Sequence, residues 1–495
     1  MKGPHLAMNW IDILRMLEVG RIALVVLGIV LSVLAAGHAV LTKRDSRSAV
    51  AWLVFIFFVP LLGALLYFVF GVNRIRQKAA LLRRNLQRYR HQAPQPECTA
   101  EALRQRLPAA LGHLVQLAQV VENVVDRPLL PGNRIELLVN GEEAYPAMLE
   151  AIAQARQTIA LVTYIFDRDE IGAAFAQALG AAVRRGVEVR VLVDAAGIRY
   201  SWPTLLPVLR REGVPVARFL PLLAAGRLLT LNMRTHRKIL IVDGRRAFTG
   251  GLNIRRGNCL KRHPRTPVQD IHFSVQGPVV TQMQEVFTDD WLFTTGEALR
   301  GETWFPTGIP AEGPVQARGV TAGPDEHYEK LLWTLLGALS LARRSVTILT
   351  PYFLPEPALV SALNLAAMRG VRVDIILPSR SNIPFFLWAS RGMWEQVLEQ
   401  GCRIWLTPPP FDHSKLLLVD GCWTLLGSAN WDARSLRLNF EFNLECYDVE
   451  LAQRLGRWVE TRRGNAQCVS LDAVKGRRLP SRLLDAVARL LTPIL

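Results

Sequence analysis

Two stretches of this chain carry the same four polar residues at the same intervals. His236, Lys238, Asp243 and Asn253 recur as His413, Lys415, Asp420 and Asn430, so the steps from the histidine are 2, 7 and 17 residues in both. A neutral imidazole is a nucleophile that an anionic phosphodiester does not repel. It also titrates near neutral pH, so a second imidazole is able to hand a proton to a departing alkoxide. One histidine would then form a phosphohistidine intermediate, while the other acts first as general acid and then as base for an incoming hydroxyl. The two lysines and the amides of Asn253 and Asn430 supply donors for the non-bridging phosphate oxygens. Such chemistry calls for no metal ion and no cofactor.

These side chains act together only if the backbone gathers them. Ile239–Val242 and Leu416–Val419 are aliphatic runs of strand length, and each ends in Asp-Gly, a strong hairpin signal. Alternate residues of a strand share a face, so His236 and Lys238 point one way, as do His413 and Lys415. A hairpin at each Asp-Gly returns residues 245–252 and 422–429 alongside, which brings Asn253 and Asn430 near their histidines. Asp243 and Asp420 complete the repeated set of candidate catalytic residues. Their odd offset turns them to the other strand face, which suits a hairpin or salt-bridge role better than proton transfer.

The patterns His236-x-Lys238-x4-Asp243 with Gly250-Gly251-x-Asn253, and His413-x-Lys415-x4-Asp420 with Gly427-Ser428-x-Asn430, resemble the paired signature of the phospholipase D superfamily. The resemblance implies two halves packed face to face with both signatures at one interface. It also implies His236 as nucleophile and His413 as acid, an order that the spacing alone leaves open. Asp270, in Gln269-Asp270-Ile271-His272, and Glu441, in Asn439-Phe440-Glu441, are by the same resemblance the carboxylates that orient the histidines.

Beyond Pro131 helices and strands alternate, and the order runs twice. The first pass reads helix 147–155, strand 158–164, helix 173–185, strand 187–193; the second reads helix 328–342, strand 345–349, helix 358–369, strand 371–377. Arg185-Gly186-Val187 matches Arg369-Gly370-Val371 and Tyr164 matches Tyr352, with small changes of offset that indicate a duplication with different loops. The expected fold class is α/β: mixed sheets covered by helices, in pseudo-symmetric halves at 131–310 and 311–470, preceded by two transmembrane helices. Residues 73–130 form a basic helical linker, with Leu103, Leu107, Leu111, Leu114 and Leu117 on one stripe. Its basic portion either holds anionic lipid head groups or is simply solvated. The segment Arg255–Thr266, with five Arg or Lys, either lines an entrance for anionic substrate or is a solvated loop. Residues 471–495 are basic and then amphipathic, with Leu479, Leu483, Leu484, Val487, Leu490 and Leu491 on one face. That helix lies in a membrane interface or packs on the protein's own surface.

Half of the 495 residues are hydrophobic and the mean hydropathy is +0.18, despite 59 Lys and Arg. Membrane segments beside a basic portion account for both, and the net charge of +17 calls for an anionic partner. Residues 22–41 and 49–72 lack formal charge and are long enough to cross a bilayer, within an N-terminal region of 1–72, with Pro60 and Gly63 set to kink the second. A cleaved signal peptide fits less well, because the second span follows at once and the six cysteines show no pairing or zinc spacing. Lys43, Arg44 and Arg47 lie between the spans, against Lys2, Arg15, Arg21, Arg74, Arg76, Lys78, Arg83 and Arg84 on the other side, which makes the termini and the bulk of this multi-pass chain cytoplasmic.

The membrane region narrows the family. Ala51-Trp52 through Pro60, Gly63, Tyr67 and Phe70-Gly71, then Thr350-Pro351-Tyr352-Phe353-x-Pro355 and Gly427-Ser428-Ala429-Asn430-Trp431-Asp432-x-Arg434-Ser435, resemble the bacterial cardiolipin synthases. The resemblance implies an enzyme of the cell membrane that moves a phosphatidyl group from one phosphatidylglycerol to the hydroxyl of another, giving cardiolipin and glycerol. One phosphodiester replaces another, so no nucleotide is needed, and no phosphate-cradling glycine loop is present. Phosphatidylethanolamine as donor, water as acceptor and a homo-oligomer stay open. A membrane-tethered nuclease is disfavoured, since no aromatic stacking platform is interleaved with the basic residues; no nucleic-acid partner is expected.

Overall fold

A computed structural model describes residues 10–43, 46–71, 97–220, 233–324 and 329–490. The chain divides into two compact units, Met1–Ile75 with Leu223–Leu231, and Arg76–Leu222 with Asn232–Leu495. Lys2, Arg44, the basic stretch 74–84, Tyr328 and Leu491 lie outside the described residues.

In the first unit, α1 (Trp10–Thr42) runs for 33 residues. At 1.5 Å per residue that is about 50 Å, against a hydrocarbon core of roughly 30 Å. Its portion Arg15–Thr42 is long and apolar enough to cross a membrane. The second apolar stretch departs from the single helix expected over 49–72. Here α2 (Ser46–Phe58) spans only about 20 Å, the backbone leaves helical geometry at Val59, and α3 (Pro60–Leu66) begins on the proline. Proline has no N–H to give and its ring collides with the carbonyl four residues back, so the helix stops and restarts. Among the described residues, therefore, one helix and not two has the length to span. The break is satisfied locally: Ser32 Oγ donates to the Pro60 carbonyl at 2.9 Å, and His38 Nδ1 hydrogen-bonds the Tyr67 hydroxyl at 2.7 Å.

The second unit contains the duplication. Its first half comprises β1 (Leu130–Val139), β2 (Thr158–Thr163), β3 (Glu188–Asp194), β4 (Val216–Phe219), β5 (Ile239–Val242), β6 (Arg246–Gly250) and β7 (Ile271–Gln276). The second half comprises β8 (Val315–Ala322), β9 (Ser345–Leu349), β10 (Arg372–Pro378), β11 (Arg403–Thr407), β12 (Leu416–Val419), β13 (Trp423–Gly427) and β14 (Asn439–Tyr447), with β15 (Gln467–Val469) added at the edge. Outward from their shared edge the orders are β1-β7-β6-β5-β2-β3-β4 and β8-β14-β13-β12-β9-β10-β11, strand for strand the same. Strands β2, β3 and β4 pair in parallel, as do β9, β10 and β11, and the signature hairpins β5–β6 and β12–β13 are antiparallel. The halves do not meet as two separate faces. Strand β1 pairs with β8 at Leu130↔Ala317 and Asn133↔Val315 before continuing along β7, so the sheets are stitched edge to edge.

Residues 97–125 also differ from the expected linker. Pro108 splits the anticipated continuous helix into α4 (Ala100–Arg106) and α5 (Leu114–Val125). Leu103 of α4, Leu111 in the turn between them, and Leu114, Leu117 and Val121 of α5 are buried in the core of the second half with Leu335 and Leu339. Helices α6 (Asn140–Gln154), α7 (Glu170–Arg184) and α8 (Val279–Thr295) belong to the first half, and α9 (Lys330–Leu341), α10 (Pro357–Met368), α11 (Pro384–Leu398) and α12 (Val449–Gly464) to the second. The apolar faces of α6 and α7 are buried with β2, β3 and β5, as those of α9 and α10 are with β9, β10 and β12.

Candidate active site

Both signature histidines stand where the chain leaves a two-residue strand that pairs with the opposite half. Arg234–Thr235 runs parallel to Asn439–Phe440, and Phe411–Asp412 runs parallel to Val268–Gln269. The His236 N–H donates to the Phe440 carbonyl at 2.9 Å, and the His413 N–H to the Gln269 carbonyl at 2.8 Å. The residue after each acceptor is a carboxylate. Both Glu441 oxygens lie 3.0 Å from His236 Nδ1, and Asp270 Oδ2 lies 2.7 Å from His413 Nδ1. Each half thus orients the other half's histidine. The two ring centroids are 6.4 Å apart, and the side chains are 11% and 13% exposed, so both are largely sheltered from solvent.

The other signature residues divide. Lys238 Nζ donates to the His236 carbonyl at 2.7 Å, and Lys415 Nζ likewise to the His413 carbonyl, so both ammonium groups lie in the same buried patch. Asn253 Oδ1 accepts from the Ile165 N–H at 3.1 Å, which fixes its amide. Asn430 Nδ2 donates to Ser435 Oγ at 3.3 Å. Asp243 and Asp420 are not brought to the histidines: seven residues of extended chain put each roughly 20 Å away. Both sit at the hairpin with φ of 52° and 53°. The Asp243 carboxylate accepts from the backbone N–H groups of Arg156, Gln157 and Thr158, and Asp420 from those of Arg343, Arg344 and Ser345, with His113 Nε2 a further 2.7 Å partner. Removing Asp243 or Asp420 with alanine is accordingly expected to lower stability by about 2–4 kcal/mol, Asp420 the more, with kcat of the folded protein changed by less than about tenfold. Thermal melts alongside activity per folded molecule test this; a kcat loss beyond about a thousandfold would place the aspartates in the chemistry.

Two features escaped sequence reading. Gly250 and Gly427 adopt φ of 144° and 157°, and a Cβ there would lie 2.7 Å from the Ile271 carbonyl oxygen and 2.4 Å from that of Phe442. At the next position the halves diverge. A Cβ on Gly251 would come 2.2 Å from an Asp270 oxygen, whereas Ser428 uses its hydroxyl to donate to Glu441 Oε2 at 2.6 Å. The Gly-Gly and Gly-Ser pairs carried that signal. The second feature is aromatic: Tyr164 meets His236 edge-on at 5.2 Å between centroids, and Tyr352 meets His413 at 6.3 Å. Their matching places in the two repeats were visible, their proximity to the histidines was not. The basic segment 255–266 is folded against its own half, with Arg255 on Asp167 at 3.3 Å and Arg262 on Glu170 at 2.7 Å.

Burial sets the protonation of the patch. It lowers His236 to about 4 against the opposing charge of Glu441, and lowers His413 well below its ordinary range, helped by Lys415 and Lys238. It also lowers Lys238 to about 7 and Lys415 to about 8. The carboxylates separate. Burial pushes Asp270 up to about 8 against the charge of Lys415. Glu441 is pushed up by burial too, but the charge and hydrogen bond of His236, with Lys238 and Ser428, bring it below the usual value.

A family model described as cardiolipin synthase, PLD-like domain, matches residues 148–291 and 335–463, and one described as phospholipase D-nuclease N-terminal matches residues 30–71. The chain is 33% identical to cardiolipin synthase A of Pseudomonas syringae over 471 residues, covering 93% of this chain and 95% of that one. It is 32% identical to cardiolipin synthase 1 of Bacillus anthracis over 465 residues, covering 92% and 90%. The crystal structure of a phosphatidylserine synthase from Haemophilus influenzae superposes with a TM-score of 0.60 at 16% identity, covering 77% of this chain and all of that one, and so shares the fold.

Proposed function

Since this chain belongs to the cardiolipin synthase family with its phospholipase D-like domain, we propose that it transfers a phosphatidyl group between two phosphatidylglycerol molecules, giving cardiolipin and glycerol. The observation that carries this reading is the crossed pair of histidines, 6.4 Å apart and each held by the other half's carboxylate. A phosphoryl group with a nitrogen approaching about 3 Å from phosphorus, and a second nitrogen hydrogen-bonded to the leaving oxygen, needs roughly that separation.

Ionised Glu441 accepts the Nδ1 proton of His236 and leaves its Nε2 lone pair free to attack phosphorus. Asp270, holding its own proton, donates to His413 Nδ1 and leaves a proton on Nε2. The P–O bond to the departing glycerol breaks as that proton moves to the glycerol oxygen and the Asp270 proton passes to His413 Nδ1, so His413 stays a neutral imidazole and Asp270 is left ionised. A second phosphatidylglycerol then gives its hydroxyl proton to His413 Nε2, as the Nδ1 proton returns to Asp270, and attacks the phosphatidyl-His236, which restores both imidazoles and the Asp270 proton. Lys238, Lys415, Asn253 and Asn430 hold the non-bridging oxygens. The shelter of the rings favours an alcohol carried in on a lipid over bulk water. The two repeats meet near residue 310. The Lys and Arg balance around the apolar segments puts the catalytic unit on the cytoplasmic side of a cell membrane.

Incubating the purified chain with head-group-labelled phosphatidylglycerol tests the reaction: cardiolipin and free glycerol should appear in equal amounts. Phosphatidic acid as the sole product, or cleavage of nucleic acid without lipid product, would refute it. The pH profile has a definite sign. An anionic phosphodiester favours the charged lysines, whose values in the free protein are about 7 and 8. Substrate binding is therefore full below pH 7 and weakens as pH rises through 8. The kcat/KM profile should fall on its alkaline side about tenfold per unit beyond that point, while kcat at saturation stays flatter because bound phosphate holds the lysines charged. A kcat/KM level to pH 9.5 or so would count against the lysines as phosphate ligands.

A further inference from the structure

The helix α13 (Leu479–Leu490) is packed inside out for a soluble protein. Its polar Asp485 is buried against α11, ion-paired with Arg391 at 3.3 Å and with Arg477, and Ala488 is buried beside it. Gly392 of α11 permits the close approach, since a Cβ there would lie 2.9 Å from the Asp485 carbonyl oxygen. The opposite side holds Leu479, Leu483, Val487 and Leu490, 76%, 62%, 48% and 73% exposed. Sequence reading left the helix either on the protein or on a membrane; its two sides suit both.

Two observations identify what covers the apolar side. Arg478, immediately before the helix, and Arg482 on it are exposed without an ion-pair partner among the described residues, which complements an anionic surface. The helix also packs on α11, which runs to the neighbourhood of the site. Six residues before Gly392, about 9 Å along α11, Phe386 packs at a tilt, 4.7 Å between centroids, on Tyr352, the ring that meets His413. Beside the other histidine, Tyr164 packs at 6.0 Å on Tyr200, close in sequence to Trp202, which is 87% exposed. Exposed tyrosine and tryptophan are the side chains that settle at the boundary between lipid and water.

We propose that the outward apolar face of α13 docks the catalytic unit on an anionic bilayer, so that the two-histidine site opens onto the lipid surface. Only the activity arm of its test rests on the lipid-transfer reading. Five cysteines are buried and Cys468 is exposed, so the full chain with Cys468→Ser and Val487→Cys takes one bimane label, here in proteoliposomes containing nitroxide lipid. With about 30 mol% phosphatidylglycerol the quenching should be at least about threefold stronger than in pure phosphatidylcholine, and Leu483→Asp with Leu490→Asp should abolish it. Absent quenching, quenching unaffected by the aspartates, or a label shielded from lipid and aqueous quenchers alike, as a second copy would produce, overturns the proposal. In the activity arm, the double aspartate variant should make cardiolipin about tenfold more slowly from vesicles yet within about twofold of the parent rate from short-chain phosphatidylglycerol monomers. Equal loss on both substrates overturns docking. Failure of the parent chain to make cardiolipin from either would refute the lipid-transfer reading and leave the quenching result standing.

Discussion

Replacing His236 with alanine is expected to lower cardiolipin formation by at least about 10^4-fold, and His413→Ala by a similar factor, with the double variant scarcely worse than either. The non-additivity follows from the proposed geometry, two rings 6.4 Å apart serving one phosphorus: without His236 there is no nucleophile, and without His413 the natural leaving oxygen receives no proton. The singles part company on a phosphodiester whose leaving group needs no proton, such as p-nitrophenol. His413→Ala should recover to within about a hundredfold of the parent on that substrate, and His236→Ala should not recover. Initial rates with both substrates, on variants whose melting matches the parent, give the answer. Equal rescue of both would remove the distinction between nucleophile and acid.

The carboxylates produce the second large effect, and it is lopsided. Glu441→Gln exchanges an ionised acceptor for an amide and unsettles the tautomer that exposes the His236 lone pair; a loss on the order of 10^3–10^4 in kcat is expected. Asp270→Asn keeps a hydrogen bond to His413 Nδ1 but cannot pass a proton to it, so a loss of about a hundredfold is expected, less than for Glu441→Gln because His413 is able to take that proton from solvent. The burial that pushes Asp270 up to about 8 and the charge of His236 that holds Glu441 down are the sources of the difference. Rates for the two variants in the reverse order would reverse the roles of the histidines.

The contrast between Glu441 and Asp270 also marks where sequence reading stopped. The repeated signature, the hairpins at Asp243 and Asp420 and the alternation of helices and strands were all legible, because each depends on residues close together in the chain. Both orienting carboxylates were named through the family resemblance. Their crossing was not legible, since the partners lie 205 and 143 residues apart and are joined by two-residue strands with no pattern of their own. The odd offset of the motif aspartates suggested a hairpin or salt-bridge role; their partners are backbone N–H groups, which carry no residue signature. Pro60 was read as a kink and instead ends a helix, because no residue type reports how well the freed backbone is satisfied afterwards. The leucines from Leu103 to Leu117 showed helical spacing, yet the core they enter is built from helices some 200 residues later. The amphipathic pattern of α13 was visible as well; that the polar side faces the protein follows from the Asp485 ion pairs alone.

Trapping the covalent intermediate tests most directly whether imidazoles from both halves act on one phosphorus. The His413→Asn variant, mixed with phosphatidylglycerol labelled at phosphorus and quenched in alkali within the first turnover, should yield a digest with label on the peptide containing His236. The His236→Asn variant should yield none. Label on His413 in the second variant and none in the first would invert the assignment, and turnover in either variant at near the parent rate would contradict the shared site itself.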